Sequence, residues 1–323
     1  MLRLSDELEK GTFGNLGKPK RIVDTLLSKL FFFDKDVYKV YKHRVSSFGD
    51  FNDNRFRHEF YHDDFAWNNT MTPAIYTKLC YVRENNGFIE ECTHDQSTDY
   101  YILMKKIDDS HTLLNLLRQK AVTHADLEKI TTEMLKRIEK LTEIKKSDFM
   151  DLFDTQYVEL DLEYIETLRD WMYMAPEVIS KENADAMMEK LKSFINTYQG
   201  FKDFDHSHYI ASIDNHCGNI LYQDKEVNFI DSMPPMRIWR VQNHLYPVSR
   251  PATEVELFMG KEFADTMYSA FEKVRGIKVD PKMRAYLQTV AALIQAPYMY
   301  VSSDIELAGK FWKLAQEKST ELN

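Results

Sequence analysis

The pattern of hydrophobic residues changes once along this chain, close to residue 105. From residue 20 to 106, aromatic and β-branched residues stand in short runs separated by turn-forming residues, which is typical of strands. Beyond residue 106, apolar residues recur at helical spacing over long segments. We therefore predict an α+β protein with two parts. Residues 1–105 form a small mixed β-sheet with one helix, and residues 106–323 are mainly helical.

The first part contains several strand patterns and one helical pattern. The strand patterns cover residues 24–33, 37–42, 79–83 and 100–105, and the helical pattern covers 55–69. Asp34, Lys35 and Asp36 separate the first two strands and predict a tight hairpin turn. Three early glycines predict a flexible lead-in before the first strand.

The second part is dominated by amphipathic helical patterns. Thr123 and Asp126 predict the capped start of a helix whose apolar residues share one face. Asp280 before Pro281, and Ser303 with Glu306 as a capping box, predict two further helix starts. Further helices are predicted over residues 162–174, 183–198, 254–274, 281–294 and 304–318.

Composition excludes several classes of function. A net charge of -9 gives no basic field with which to hold a polyanion, so nucleic acid is not an expected partner. Cys80, Cys92 and Cys217 are odd in number and lack Cys-x-x-Cys spacing, so neither a disulfide framework nor a zinc site is predicted. The start lacks the apolar core of a signal peptide, and no run of eighteen apolar residues occurs. We expect a soluble, cytoplasmic protein that does not bind membranes.

One strand-like island interrupts the helical part, over residues 212–231. It carries Asp214, then Asn219 five residues later, and Asp231 twelve residues further on, with a predicted hairpin between the last two. Phosphoryl transfer needs an acceptor hydroxyl held in line with the terminal phosphate, and a divalent metal that neutralises phosphate charge. Asp214 meets the first need as the base, and Asn219 and Asp231 meet the second as oxygen ligands of Mg²⁺. His216 either braces this loop by hydrogen bonding or lies near the phosphates.

The segment from Asp214 to Leu221 resembles the catalytic loop of the aminoglycoside phosphotransferase family, usually written His-Gly-Asp-Leu-His-x-x-Asn-Ile-Leu. The residues Phe229-Ile-Asp231 are similar to its metal-binding strand end. Thr25-Leu-Leu-Ser28, Tyr38-Lys39-Val40 and Phe48-Gly-Asp-Phe51 are similar, in order, to an uncharacterised, gluconate-kinase-like branch of this protein-kinase-like family. The resemblance covers roughly residues 23–145 and 205–260. The resemblance implies a two-lobed fold in which residues 1–105 are the nucleotide-binding lobe and 106–323 hold the catalytic loop and acceptor pocket.

The resemblance also implies how the nucleotide is held. Lys39 would grip the α- and β-phosphates, with Lys42 as the alternative lysine. Asp64 stands where the family has the acidic partner of this lysine, and Glu59 is the alternative acid. Met104 would lie beside the adenine, and the expected nucleotide is ATP, with GTP as the alternative.

Two departures from the family pattern concern activity. Ser212-Ile213 replaces the usual His-Gly before the catalytic Asp, and Ser232 follows the metal Asp. The leading hypothesis is an ATP- and Mg²⁺-dependent kinase that phosphorylates a hydroxyl on a sugar, amino alcohol or aminoglycoside-like molecule. The alternatives are a pseudokinase that binds nucleotide without turnover, and a helical interaction protein without a nucleotide site. Glu254 and Glu256 face either the acceptor or the core; the sequence leaves both open.

Overall fold

The structure is a computed structural model that describes residues 3–202 and 208–322. Residues 205–207, at the start of the second span that resembles the family, lie outside the described residues. The chain divides into two units. Unit 1 is Met1–Ser110 with Asn228–Pro235, and unit 2 is His111–Val227 with Met236–Asn323. The end of the 212–231 island, which the sequence placed in the helical part, is therefore grouped with the N-terminal unit.

Unit 1 is built on one antiparallel sheet of six strands in the order β1-β2-β3-β8-β6-β7. Strands β4 and β5 form a separate small hairpin before helix α2. The bounds are α1 Leu4–Lys10, β1 Arg21–Asp24, β2 Ser28–Phe32, β3 Asp36–Tyr41, β4 Val45–Ser46, β5 Gly49–Asp50, α2 Asn54–Met71, β6 Tyr76–Asn85, β7 Phe88–Glu91 and β8 Asp99–Lys105.

Both faces of strand β3 are covered, which explains why all of its residues after Asp36 are buried. On one face, Tyr38 and Val40 join a cluster that includes residues of α1. On the other face, Lys39 and Tyr41 point towards α2, where the Tyr41 ring lies 4.9 Å from the ring of Tyr61. The strand therefore delivers one charged side chain, Lys39, into the layer between the sheet and α2.

The helical pattern and the hairpin turn of unit 1 are confirmed, and three expectations are wrong. The predicted strand 24–33 is two strands, because the Thr25 hydroxyl accepts from the Ser28 amide and turns the chain between them. Strand β7 lies between the predicted strands 79–83 and 100–105, where no strand was predicted, and it pairs with β6 around a turn at Asn86 and Gly87. One helix was predicted, but a second helix, α1, precedes the early glycines, because Leu4 and Leu8 are buried in the core of the unit.

Unit 2 is mainly helical, with short strands near the 212–231 island. Strands β9 and β12 pair with each other, and β11 carries the chain from unit 2 into the 228–235 segment of unit 1. The bounds are α3 Leu113–Arg118, α4 His124–Lys145, α5 Met150–Asp154, α6 Tyr157–Met172, α7 Lys181–Thr197, α8 Gln199–Lys202, β9 Tyr209–Ala211, β10 Ile220–Gln223, β11 Glu226–Phe229, β12 Val241–Asn243, α9 Tyr246–Met259, α10 Lys261–Arg275, α11 Pro281–Val301 and α12 Ile305–Ser319.

Two predicted helix starts in unit 2 are confirmed and one is wrong. The Thr123 hydroxyl accepts from the Asp126 amide in a complete capping box, and Asp280 caps α11 by accepting from two amides. Helix α12 is instead capped by Asp304, whose side chain accepts from the Leu307 amide. Ser303 precedes the cap with a φ of 65°, a conformation that ends the preceding turn.

The predicted helix over residues 254–274 is two helices, α9 and α10. They meet at Gly260, whose φ of 99° and ψ of 167° lie in a region that is essentially restricted to glycine. The apolar spacing continues through the break, so it was read as one helix. No helix in the described residues is both long and apolar enough to cross a membrane.

Substituting Gly260 by Ala tests this break. The added Cβ meets no atom within 4 Å, so the cost is conformational strain, and we expect the free energy of unfolding to fall by about 1–3 kcal/mol. Gly309→Ala is the matched control, since Gly309 lies inside α12, also has open space, and should gain about 0.5–1 kcal/mol. Urea unfolding measures both, and equal effects would contradict the assignment.

Candidate active site

Within unit 1, a buried lysine lies between two carboxylates. The Lys39 ammonium nitrogen lies 3.0 Å from Oδ2 of Asp64 and 2.6 Å from Oδ1 of Asp231. The side chains of Lys39 and Asp64 are 5% and 1% exposed, whereas that of Asp231 is 65% exposed. We call these three residues, together with Asn68, the lysine cluster. One carboxylate thus neutralises the lysine inside the unit, and the other reaches solvent.

Within the lysine cluster, Asn68 links helix α2 to the 228–235 segment through hydrogen bonds. Its amide nitrogen donates to Oδ1 of Asp64 at 2.7 Å, and its amide oxygen accepts from the Ser232 backbone amide at 2.7 Å. The spacing of four residues places Asp64 and Asn68 on the same face of α2. One helix face therefore positions both the acid and the segment that carries Asp231.

The backbone around Asp231 is fixed by two hydroxyl groups of unit 1. The Asp231 amide donates to the Tyr76 hydroxyl at 2.8 Å, and the Phe229 amide donates to the Thr72 hydroxyl at 2.8 Å. Asp231 has a φ of 49°, in the left-handed region that Asp tolerates better than most residues. These contacts aim its exposed carboxylate without burying it.

The charges around Lys39 and Asp64 shift the pKa values of both groups. Burial disfavours the charged form of Lys39, but Asp231 and Asp64 outweigh it and raise the pKa of Lys39 well above its usual value. Burial raises the pKa of the Asp64 carboxyl, and the nearby Lys39 opposes that rise. Lys39 is therefore a permanent cation at any ordinary pH.

The alternative residues for this cluster lie elsewhere in unit 1. Lys42 follows the end of β3, and its ammonium contacts Asp24. Glu59 is on the exposed side of α2 and pairs with Arg55 at 2.9 Å. Met104 is buried in β8, opposite Val37 of β3. The geometry favours Lys39 and Asp64 over Lys42 and Glu59, and the role of Met104 beside a base stays a prediction.

Unit 2 holds the 212–219 loop, which follows β9 and is anchored at buried backbone positions. The Ser212 amide donates to the Arg240 carbonyl at 2.8 Å, and the Cys217 amide donates to Oε1 of Glu254 at 2.8 Å. The Asn215 side chain donates to the Pro247 carbonyl. The loop is held at both ends and in the middle, so its polar side chains have fixed positions.

Asp214 is contacted by two residues of unit 2. Arg250, which is buried, places Nη2 3.3 Å from Oδ1 of Asp214. The Asn219 side-chain nitrogen donates to the Asp214 backbone carbonyl at 2.8 Å. Asp214 keeps 35% of its side chain exposed, so the carboxylate is oriented from inside the unit and still reaches solvent.

His216 makes a bracing contact inside the loop. Its Nδ1 accepts from the Gly218 amide at 3.1 Å, which places the ring proton of the neutral form on Nε2. Its ring lies 5.3 Å from that of Tyr298. Of the two roles that the sequence left open, this contact is the one expected for bracing the loop.

Sequence reasoning missed Arg250 and left Glu254 undecided between a pocket and the core. Glu254 is fully buried beneath the loop, and burial raises its pKa to about 7. Both residues lie in α9 four positions apart, a spacing that brings them to one helix face. The sequence signal for both residues was a pair of opposite charges four positions apart in an apolar segment.

The two residues that depart from the family pattern, Ser212 and Ile213, are both buried.

The side chains predicted to hold Mg²⁺ offer suitable donors. Asp231 supplies a carboxylate and Asn219 an amide oxygen, and hard oxygen ligands are those that Mg²⁺ prefers. The Asp231 carboxylate already lies beside a cation, the ammonium of Lys39. The Asn219 nitrogen is engaged with a backbone carbonyl, and an amide coordinates through its other atom, the oxygen. Each side chain by itself offers a donor that suits the ion, and the ligand roles of both residues stay a prediction.

Comparison with solved structures identifies the fold. The chain matches the GDP complex of aminoglycoside 2'-phosphotransferase-IIIa with a TM-score of 0.54 and 7% identity, covering 98% of this chain and 97% of that one. It matches a thermostable mutant of aminoglycoside phosphotransferase APH(4)-Ia, in a ternary complex with AMP-PNP and hygromycin B, with a TM-score of 0.54 and 12% identity, covering 98% of each chain. The chain has the aminoglycoside phosphotransferase fold. The α+β, protein-kinase-like fold class is thus confirmed. No protein-family model and no curated protein sequence matches the chain.

Substituting Lys39 by Met tests the lysine cluster. The change leaves the Asp64 carboxylate buried without its cation, and breaking a buried ion pair in this way costs about 3–5 kcal/mol. Urea unfolding should show that loss for Lys39→Met, and the double variant Lys39→Met with Asp64→Asn should recover a large part of it. Additive losses in the double variant would contradict the pairing.

Substituting Glu254 by Gln tests the buried acid under the loop. The folded pKa of about 7 lies above the ordinary 4.5, so the folded state binds this proton more tightly than the unfolded chain. The resulting stabilisation is complete below pH 4.5 and is lost as pH rises through 7. Relative to Glu254→Gln, the wild type should lose about 3 kcal/mol of unfolding free energy between pH 4.5 and pH 8. Parallel pH profiles would contradict a raised pKa.

Proposed function

We propose that this protein is a small-molecule kinase that transfers the terminal phosphoryl group of ATP, or GTP, to a hydroxyl of a small polar acceptor. The observation that carries the proposal is the buried Lys39 ammonium between Asp64 and Asp231. The buried Asp64 balances the charge of Lys39, so the ammonium is suited to bind phosphates. The exposed carboxylate of Asp231 is suited to bind a metal ion.

The fold supports the same class of reaction. Solved proteins with this fold hold AMP-PNP together with hygromycin B in one case and GDP in another. Those ligands are a nucleotide analogue, a nucleotide and a hydroxyl-bearing small molecule. Because fold alone does not fix chemistry, the proposal rests on the residues of this chain and uses the fold as support.

In the proposed reaction, Lys39 binds the α- and β-phosphates and Asp64 keeps it oriented. Asp231 and Asn219 would hold Mg²⁺, which would neutralise charge on the phosphates. Asp214 orients the acceptor hydroxyl and takes its proton as that oxygen attacks phosphorus and the bond to the leaving nucleoside diphosphate breaks. Arg250 and the backbone anchors of the loop hold the Asp214 carboxylate in place, and His216 braces the turn that leads to Asn219.

The decisive experiment is a turnover screen with Mg-ATP and Mg-GTP over sugars, amino alcohols and aminoglycosides. We expect at least one acceptor to be phosphorylated, and Asp214→Asn to lower that rate by about 10²–10⁴-fold, the range for loss of a general base. Asp224→Asn is the matched control, because Asp224 lies in the exposed turn after β10 and has a φ of 51° that Asn also tolerates.

Thermal unfolding with Mg-nucleotide separates the alternatives. A hundredfold excess over the dissociation constant raises the unfolding free energy of a nucleotide-binding protein by about 2.7 kcal/mol. Stabilisation without turnover on any acceptor identifies a nucleotide-binding module, and an unchanged unfolding curve identifies a protein without a nucleotide site. Either result overturns the proposal.

A further inference from the structure

Three histidines of unit 1, on α2 and on the turn after β7, lie close together. His58 and His62 lie on α2, and His94 lies in the short turn of 3₁₀ helix that follows β7. The ligand atoms that these three rings offer all lie within 4.8 Å of one another. The Nε2 atoms of His58 and His94 are 2.7 Å apart. We call this group the histidine cluster.

Backbone geometry and neighbouring rings hold the cluster together. His58 and His62 are four residues apart, which places both imidazoles on one face of the helix, with ring centroids 4.3 Å apart. The ring of Tyr100 lies 5.7 Å from His58, and the ring of Tyr81 lies 5.2 Å from His94. Side chains from the sheet thus flank the histidines and limit where their rings point.

We propose that His58, His62 and His94 form a binding site for a divalent transition-metal ion of the zinc type. Three neutral imidazoles suit Zn²⁺, Co²⁺, Ni²⁺ or Cu²⁺, whereas Mg²⁺ and Ca²⁺ prefer oxygen ligands. A site with three protein ligands leaves the fourth position to water. The site is separate from the residues assigned to phosphoryl transfer, and the inference does not depend on the proposed function.

The observed distances are close to those of a metal site. At Zn–N distances of 2.0–2.1 Å, two ligand nitrogens of a tetrahedral ion are about 3.3 Å apart. The Nε2 atoms of His58 and His94 therefore need to separate by about 0.6 Å from their hydrogen-bonded distance, a change that side-chain torsions supply. Binding through both Nε2 atoms requires each neutral ring to carry its proton on Nδ1.

The bound ion would join two segments that are far apart in sequence. His94 is 36 residues from His58, so the ion closes a chain loop between the helix and the turn after β7. His94 is exposed and the other two rings are partly buried, which leaves an entry path for the ion. The consequence is a fixed position of α2 against that turn.

The experiment titrates Zn²⁺ into the full chain after chelator treatment, by calorimetry near neutral pH, and repeats the titration with Co²⁺ while recording visible absorbance. We expect one ion per chain and the intense absorbance of tetrahedral Co²⁺. Each of His58→Gln, His62→Gln and His94→Gln should weaken binding at least tenfold, since even substitutions around a metal site cost about 10–100-fold. His94→Gln is the decisive variant, because an exposed side chain is not needed for folding.

Two control variants and one competitor make the assignment specific. His124→Gln removes an exposed histidine of unit 2, and Cys92→Ser removes the thiol two residues before His94; both should bind Zn²⁺ like the wild type. A thousandfold excess of Mg²⁺ should leave Co²⁺ absorbance unchanged. The proposal is overturned if the wild type binds Zn²⁺ no more tightly than His94→Gln, or if Cys92→Ser abolishes binding.

Discussion

The ammonium of Lys39 is the constraint around which unit 1 is organised. Removing a charge from water costs several kcal/mol, and the cost is repaid only by well-placed opposite charges and hydrogen bonds. Asp64 supplies one such charge from α2, and Asp231 supplies another from the 228–235 segment. Asn68 then ties the helix to that segment. A strand, a helix and a distant loop are thereby fixed by the need to neutralise one side chain.

Local signals account for the parts of the fold that the sequence predicts well. Thr123 with Asp126, and Asp280 before Pro281, act within a few residues, and both mark helix starts in the structure. The failures depend on distant contacts. Helix α1 is ordered because Leu4 and Leu8 are buried in the same core cluster as Phe31 and Tyr101, which no pattern within residues 1–20 reveals. The break at Gly260 depends on a backbone conformation that leaves apolar spacing unchanged.

The candidate site likewise contains residues that local spacing predicts and residues that only a family resemblance or a distant contact identifies. Asp214, Asn219 and Asp231 were selected by spacing and chemistry, whereas Lys39 and Asp64 came only from resemblance, because a lysine in a short strand has no distinctive local pattern. Arg250 was missed because its role depends on a contact with Asp214, which is 36 residues away in the sequence. His58 and His62 show helical spacing in the sequence, but His94 joins them only through the sheet.

The path of the chain through the two units has a consequence for synthesis. Unit 1 is left after Ser110 and re-entered at Asn228, so Asp231 leaves the ribosome 192 residues after Lys39. At roughly 5–20 residues per second, that interval is about 10–40 s. By then all six strands of the N-terminal sheet have been synthesised, and of the two carboxylates that contact Lys39 in the described residues only Asp64 is already present. Unit 1 therefore receives the carboxylate of Asp231 long after its sheet and helix α2 have been synthesised.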